Sequence, residues 1–410
     1  MLMTETAQPL PAERNHPLAF RMAAIAFVTQ NMTVACIWGA FSVLLTAVET
    51  RLGVGRELST LAVPCVALAT AVLAPITGML ASRYSLRLMM LSGAVLSVAG
   101  FVVLALADSY PLYLVAYGLL LGPGMAVGAV LPSTLVTRWY AVNRGRALGI
   151  VCTPIFIAIV PLLSSWVLQS YGLSATYAML AILSAAMVVG ALFVVDHPPA
   201  LEGASALAAE AGAPVKPVRS MVELLRSPGF WVLTLAFVSS ITGSVVITSQ
   251  MTPMAQSWGL TATLGATLLS IQSLAGITGP VLYGWIADRL GGALALAVLV
   301  LVAALLWTLL LIHPNFAGIA VVVALIGVHG AAAVPVLGVA LSEGFGRESF
   351  SRAYGLVNLL NLPFSVLCVP AAALVYSRTG SYAGAIIGQA GFLALTGLLL
   401  LATRRRSAKV

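Results

Sequence analysis

Apolar residues in this chain come in long blocks separated by short polar breaks. A helix needs about 20 apolar residues to cross the hydrocarbon core of a bilayer. Blocks long enough to do so fall at 21–47, 58–81, 86–107, 111–137, 146–169, 173–195, 230–255, 262–286, 291–312, 316–341, 352–376 and 381–403. The breaks carry charges or turn residues, as in ASRYSLR, ADSYP, YAVNRGR, ADRLGG and IHPN. The pattern predicts an all-α integral membrane protein of twelve transmembrane helices. Prolines inside the blocks (Pro64, Pro75, Pro123, Pro154, Pro161, Pro280, Pro335 and Pro363) mark expected kinks. Membrane helices tolerate them because neighbouring groups re-satisfy the freed backbone.

Composition agrees. The chain has 410 residues, of which 60% are hydrophobic and 8% charged, whereas a soluble domain carries about 25% charged residues. The net charge of +8 does not point to nucleic acid, because the cations sit in short loops and form no basic face interleaved with aromatics. With the N-terminus placed in the cytoplasm, 17 of the 20 Lys and Arg residues fall on the cytoplasmic side, leaving Arg51, Arg56 and Arg378 outside. Positive charge concentrates on the cytoplasmic side of membrane proteins, so both termini are expected there, in a multi-pass inner-membrane protein. Residues 1–20 lack the charged and apolar regions of a cleavable signal, and the first span is expected to be an uncleaved start-transfer helix. The four cysteines (Cys36, Cys65, Cys152 and Cys368) lie in apolar blocks at unrelated spacings. They read as packing residues, with neither a disulfide framework nor a metal site implied.

Residues 196–229 form a Pro/Ala/Gly-rich polar linker between an N-terminal half (1–195) and a C-terminal half (230–410). Its end, Ser220 to Glu223, has capping-box spacing and predicts a short helix before span seven. GMLASR at 78–83 returns as GWIADR at 284–289, and RALG at 146–149 as RAYG at 352–355. Both pairs are 206 residues apart, which indicates two six-span halves related in parallel.

These residues resemble the major facilitator superfamily over essentially the whole chain. The superfamily pattern G-x-x-x-D-R after spans two and eight is kept in the second copy, with Asp288 and Arg289, while the first copy has Ser82 before Arg83. The resemblance implies two pseudo-symmetric six-helix bundles around a midplane site. It assigns a gating role to Arg83, Arg87, Arg144, Arg146, Asp288 and Arg289, and leaves the latch at Ser82 in question. RWYAVNRGRALGI (138–150) and LVYSRTGSYAGAI (374–386) are similar to the monocarboxylate and oxalate–formate branch. The cation that many organic-anion members carry in span eight is replaced here by Pro280, and no Lys or Arg lies at the centre of any span.

Spans one, four, seven and ten of this superfamily line the cavity. His329 lies in the middle of span ten and is the deep ionisable side chain; the repeat pairs it with Pro123. One reading is a neutral histidine bonded to a carbonyl, with Gly327 and Gly330 allowing close helix packing. The other is a substrate and proton ligand, since an imidazole changes charge within a physiological proton gradient. The remaining candidates for substrate contact are Gln30, Asn31, Tyr117, Gln250, Gln272, Asn358 and Asn361, with Trp38 and Thr248 nearby. Asn358 and Asn361 are three apart and share a helix face. The expected activity is secondary transport of a small organic solute, foremost a monocarboxylate or related organic acid, by alternating access and coupled to protons. Export of a neutral metabolite or drug-like compound is the alternative, and a non-transporting sensor is a further one. An enzyme would need paired carboxylates, a Ser/His/Asp set or a metal cluster inside the spans, and none is written there. No cofactor is expected. The expected partners are the small-molecule substrate, protons and the bilayer, with no nucleic acid, and the protein is expected to be monomeric.

Overall fold

The computed structural model describes residues 15–140, 142–198, 219–312 and 315–407. Most of the polar linker and the two terminal tails lie outside these residues. The described chain is helical, and long apolar helices dominate it. Two features resolve the span count to twelve. Helices Ala262–Gly276 and Gly279–Leu290 are one span bent by 41°. Helix Phe156–Leu192 has 37 residues, about 55 Å at 1.5 Å per residue and too long for a single crossing. It is interrupted at Gly172, whose φ of 81° and ψ of −178° suit a residue without a Cβ. Gly172 therefore separates spans five and six at the break read from the sequence.

Spans three and six pack together, as do spans nine and twelve, and both pairs flank the inner helices. Leu106, Leu162, Ile182 and Val321 point outward, an apolar surface suited to lipid. Of the eight prolines, Pro154 and Pro280 mark actual breaks, the first between Cys152 and Phe156 and the second at the start of Gly279–Leu290. Pro75, Pro161, Pro335 and Pro363 sit inside continuous helices. Wide π turns occupy Ala35–Gly39 in span one and Ala116–Leu121 in span four.

The expected short helix before span seven is Met221–Arg226. The Ser220 hydroxyl accepts from the Glu223 amide at 3.2 Å, and the Glu223 carboxylate accepts from the Ser220 amide at 2.9 Å. An even number of spans puts Asn15, this helix and Ser407 at one end of the bundle, called below the linker end.

Candidate functional site: a cleft closed by two paired latches

The two sets of six spans meet at the linker end. Span five crosses span eight where Gly145 faces Gly284 and Gly149 faces Pro280. Span two crosses span eleven where Gly78 faces Ser351 and Ala74 faces Gly355. At Gly78, Gly145, Gly149, Gly284 and Gly355 an added Cβ would overlap a backbone carbonyl oxygen of the opposite helix. Glycine is required here for close approach, as in other membrane-helix contacts. The two crossings map onto each other through the 206-residue repeat, residue for residue.

Beyond these layers the halves separate. Span eleven is buried from Phe350 to Val357 apart from Arg352, and of the 22 residues that follow in that helix only Ala372 is buried. The molecule is thus closed at the linker end and open at the far end.

Polar groups complete each latch. Asp288 caps the first turn of span five: its carboxylate oxygens accept the amides of Gly145 at 2.5 Å and Arg146 at 2.9 Å, with the Arg146 Nε at 3.9 Å. A carboxylate at a helix N-terminus is favoured by the free N–H groups and the helix dipole. Arg144 crosses the same interface, donating to the Ser342 hydroxyl at 2.8 Å and to the Tyr140 carbonyl at 3.1 Å. In the other latch Ser82 Oγ accepts from Arg352 at 2.8 and 3.2 Å, and Ser351 Oγ donates to the Gly78 carbonyl at 2.9 Å.

The expected gating residues divide accordingly. Asp288, Arg144 and Arg146 join the closure. Arg289 instead lies over the Trp285 ring at 3.8 Å. The Arg83 and Arg87 side chains are exposed, and Arg87 uses only its backbone amide, bonded to Asp196. Arg352, a loop-end topology charge in the sequence, joins the closure as well. The repeat that pairs Arg352 with Arg146 was the available signal.

Above the latches, the mid-span polar residues fall into three groups. On span one, Asn31 is a bracket for the break in span five. Its Nδ2 donates to the Val151 carbonyl at 3.2 Å and its Oδ1 accepts the Phe156 amide at 3.4 Å. These are backbone groups that the break at Pro154 would leave unpaired inside the membrane. Asn31→Ala is therefore expected to destabilise the fold by about 2 kcal/mol, the cost of unpaired buried polar groups, seen as a lowered unfolding midpoint in detergent. The neighbouring Gln30 lines a cavity of about 100 Å³ with Val34, Cys152, Pro154 and Ile157, and its Oε1 is buried without a partner.

The second group joins spans seven, eight and ten. His329 is 6% exposed and packs edge-on against Tyr283, with ring centroids 5.2 Å apart. Its Nδ1 lies 2.7 Å from the Leu325 carbonyl. A carbonyl only accepts, so Nδ1 carries a proton and Nε2 of the neutral ring is a bare acceptor. That Nε2 is buried with no hydrogen-bond partner. Around it the backbone is tightly interlocked, with Gly327 against the Gln272 carbonyl, Gly279 against the Val328 carbonyl and Gly330 against the Ser244 hydroxyl. Gln272 donates to Thr248 Oγ1 at 3.3 Å and leaves its own Oε1 buried and unpaired. One ring nitrogen of His329 thus bonds a carbonyl of its own helix, and the other is free.

On span eleven Asn358 bonds back to the Tyr354 carbonyl at 2.8 Å, while Asn361 Oδ1 and Ser365 Oγ, one turn apart, are buried and unpartnered. Ser365 is not among the candidates that the sequence singles out. Two candidates lie elsewhere. Tyr117 is packed among Phe41 and Tyr113 at centroid distances of 5.8 and 5.0 Å, near the far end where Tyr113 bonds the Ser59 carbonyl; the half-exposed Trp38 lies in the adjoining π turn of span one. Gln250 accepts from the Tyr382 hydroxyl at 3.0 Å, which gives the T-G-S-Y stretch a packing role at the junction of spans eleven and twelve.

Comparison with known proteins fits this architecture. The sequence pattern of the Major Facilitator Superfamily matches residues 27–362 and 233–410. The chain is 26% identical over 216 residues to the oxalate:formate antiporter of Oxalobacter formigenes, covering 52% of this chain and 50% of that protein. It is 25% identical over 334 residues to monocarboxylate transporter 13 of Bos taurus, covering 80% of this chain and 76% of that one. Among solved structures, the proton:xylose symporter XylE superposes with a TM-score of 0.72 at 13% identity, covering 95% of this chain and 96% of that one. FucP in the outward conformation gives 0.73 at 14% identity, covering 94% and 98%. These proteins are transporters, not enzymes, and the chain belongs to the Major Facilitator Superfamily of membrane transporters for small solutes.

Proposed function

We propose that the protein carries a small organic acid, foremost a monocarboxylate, across the inner membrane together with a proton, with both termini in the cytoplasm. The observation that carries this reading is the bare, buried Nε2 of His329. A buried polar atom without a partner is costly, and bound ligands commonly satisfy such atoms. The neutral ring accepts a hydrogen bond from a protonated acid or takes up a proton at Nε2, and the imidazolium so formed donates a hydrogen bond to a carboxylate. One atom thereby couples the two cargoes. The unpaired oxygens of Gln30, Gln272 and Asn361 and the Ser365 hydroxyl are further contacts for a protonated acid, in spans that carry no Lys or Arg at their centre.

Names of relatives support the substrate class: an oxalate:formate antiporter and a monocarboxylate transporter are among them. A neutral solute is the second reading, favoured by Pro280, which stands where a carboxylate-binding cation occurs in many organic-anion members and turns its carbonyl to Gly149. Thermal stabilisation of the purified protein by a panel of monocarboxylates and their amides, at pH 5.5 and 7.5, separates the two. Stabilisation by the acids, stronger at the lower pH, is expected; stabilisation by the amides alone would overturn the acid reading.

A further inference from the structure

A groove on the outside of the bundle belongs to both halves. It encloses about 350 Å³ beside spans one, five and eight. The small side chains of Ala23, Ala24 and Ala147 leave the space, and Phe20, Phe27 and Ile150 stand around it. Val281 of span eight adds a wall from the opposite half, and its neighbour Pro280 meets Gly149 across the Asp288 latch. Because the cleft is closed at this level, the exposed residues of the groove, Phe20, Ala24, Ile150 and Val281, face the bilayer.

From Phe20 to Phe27 the groove follows span one for about 10 Å, a large part of one leaflet's share of the hydrocarbon core. Its outer end lies near headgroup level. On span eight Trp285 is exposed with Arg289 over its ring at 3.8 Å, and Val281 is one turn farther in; aromatic and basic residues gather at the membrane–water boundary. Tyr140 lines the same end of the groove. Arg21 follows Phe20 and is exposed, and Arg146 precedes Ala147 with its side chain 44% exposed. Among the described residues, no acidic side chain lines the groove. An apolar channel that starts beside two cations and runs toward mid-bilayer has the layout of a phospholipid.

We propose that this groove seats one acyl chain of an anionic phospholipid from the leaflet at the linker end, and that the bound lipid favours closure of that end. Moving a chain from bilayer to groove gains no hydrophobic free energy, because both surroundings are apolar. Selection comes from the concave fit and from the two arginines, each of which raises occupancy by an anionic headgroup about fivefold. When spans five and eight part, Val281 leaves with its own half and the chain loses a wall. A ligand held better by one state shifts the population toward that state. The proposal is independent of the transported solute.

The test uses the full-length protein in phosphatidylcholine nanodiscs doped with phosphatidylglycerol whose acyl chain carries a photoactivatable diazirine. Label on residues 20–27 and 147–155 is compared, by mass spectrometry, with label around Ile182 and Leu305, exposed residues of spans six and nine. The groove segments are expected to take about fivefold more label than these outer surfaces, or higher. Diazirine phosphatidylcholine at the same dose is expected to show a several-fold smaller preference. Ala24→Trp, which fills the groove, is expected to reduce its label to the level of the outer spans. Arg21→Gln is expected to lower it about fivefold with phosphatidylglycerol, and it carries the comparison if Ala24→Trp does not fold. Gly284→Val, which parts spans five and eight, is expected to lower groove label while leaving Ile182 and Leu305 unchanged. Equal label on the groove and the outer spans, equal preference for the two lipids, or a preference that the variants leave unmoved would overturn the proposal.

Discussion

Gly284→Val is expected to abolish transport while leaving the protein folded in the membrane. Any side chain at this position meets the Gly145 carbonyl oxygen, a backbone atom that has no rotamer into which to retreat. To admit it, spans five and eight must separate, and the two Asp288 hydrogen bonds to the start of span five are then lost as well. Overpacking costs about 1–3 kcal/mol, and each bond to a charged group about 1.5–3 kcal/mol. The closed state of the linker end is therefore disfavoured by several kcal/mol, or about two to four orders of magnitude in population. The open state does not use this contact, so folding survives. Alternating access needs both states, and uptake should fall to background while labelling of a linker-end cysteine rises. Gly388→Ala is the matched control, because an added Cβ there meets nothing and transport should be unchanged. Wild-type uptake by Gly284→Val would remove the latch from the mechanism.

The second large effect is expected at His329. Glutamine in its place retains an N–H that can reach the Leu325 carbonyl and roughly fills the volume against Tyr283, but it takes up no proton near neutral pH. Uphill uptake driven by a pH gradient should drop by at least about tenfold, the usual scale for losing a positioned proton-transfer group being 10²–10⁴. Exchange of labelled for unlabelled solute without a gradient should persist. His329→Ala also opens a cavity and should cost about 2–4 kcal/mol in stability, as other large-to-small core changes do; the glutamine variant, with its volume kept, separates chemistry from packing. Equal pH dependence in wild type and His329→Gln would place His329 among the packing residues.

Much of this was legible in the sequence. A block of apolar residues has a length, and the bilayer converts length into a span; all twelve follow from that one rule. The repeat was visible as two short matches at one offset because both latches need glycine at the same crossing point, a constraint that tolerates little else. The break at Pro154 was written as a proline, yet its consequence was not: freed backbone groups recruit an amide from span one, so Asn31 became a structural bracket. A pattern along one helix gives the face of a residue but not its partner on another helix. For the same reason Tyr117 and Gln250, polar and deep in their blocks, proved to be bonded or packed toward the far end. Arg83 and Arg87 follow the glycine of the first copy as the motif prescribes, but with serine in place of the acid the latch draws instead on Arg352 from the opposite half. Arg352 looks like a topology charge along the chain because a loop-end arginine serves topology and closure equally well.

Joint movement of an organic acid and a proton through this cleft is tested by uptake of a labelled monocarboxylate into proteoliposomes of the purified protein. The solute is offered outside with and without an inward proton gradient, and again with the gradient collapsed by a protonophore. Accumulation above the equilibrium level is expected with the gradient, with loss of that accumulation under the protonophore and its absence in His329→Gln. Equal uptake with and without the gradient, or accumulation confined to the neutral amide of the same acid, would contradict it.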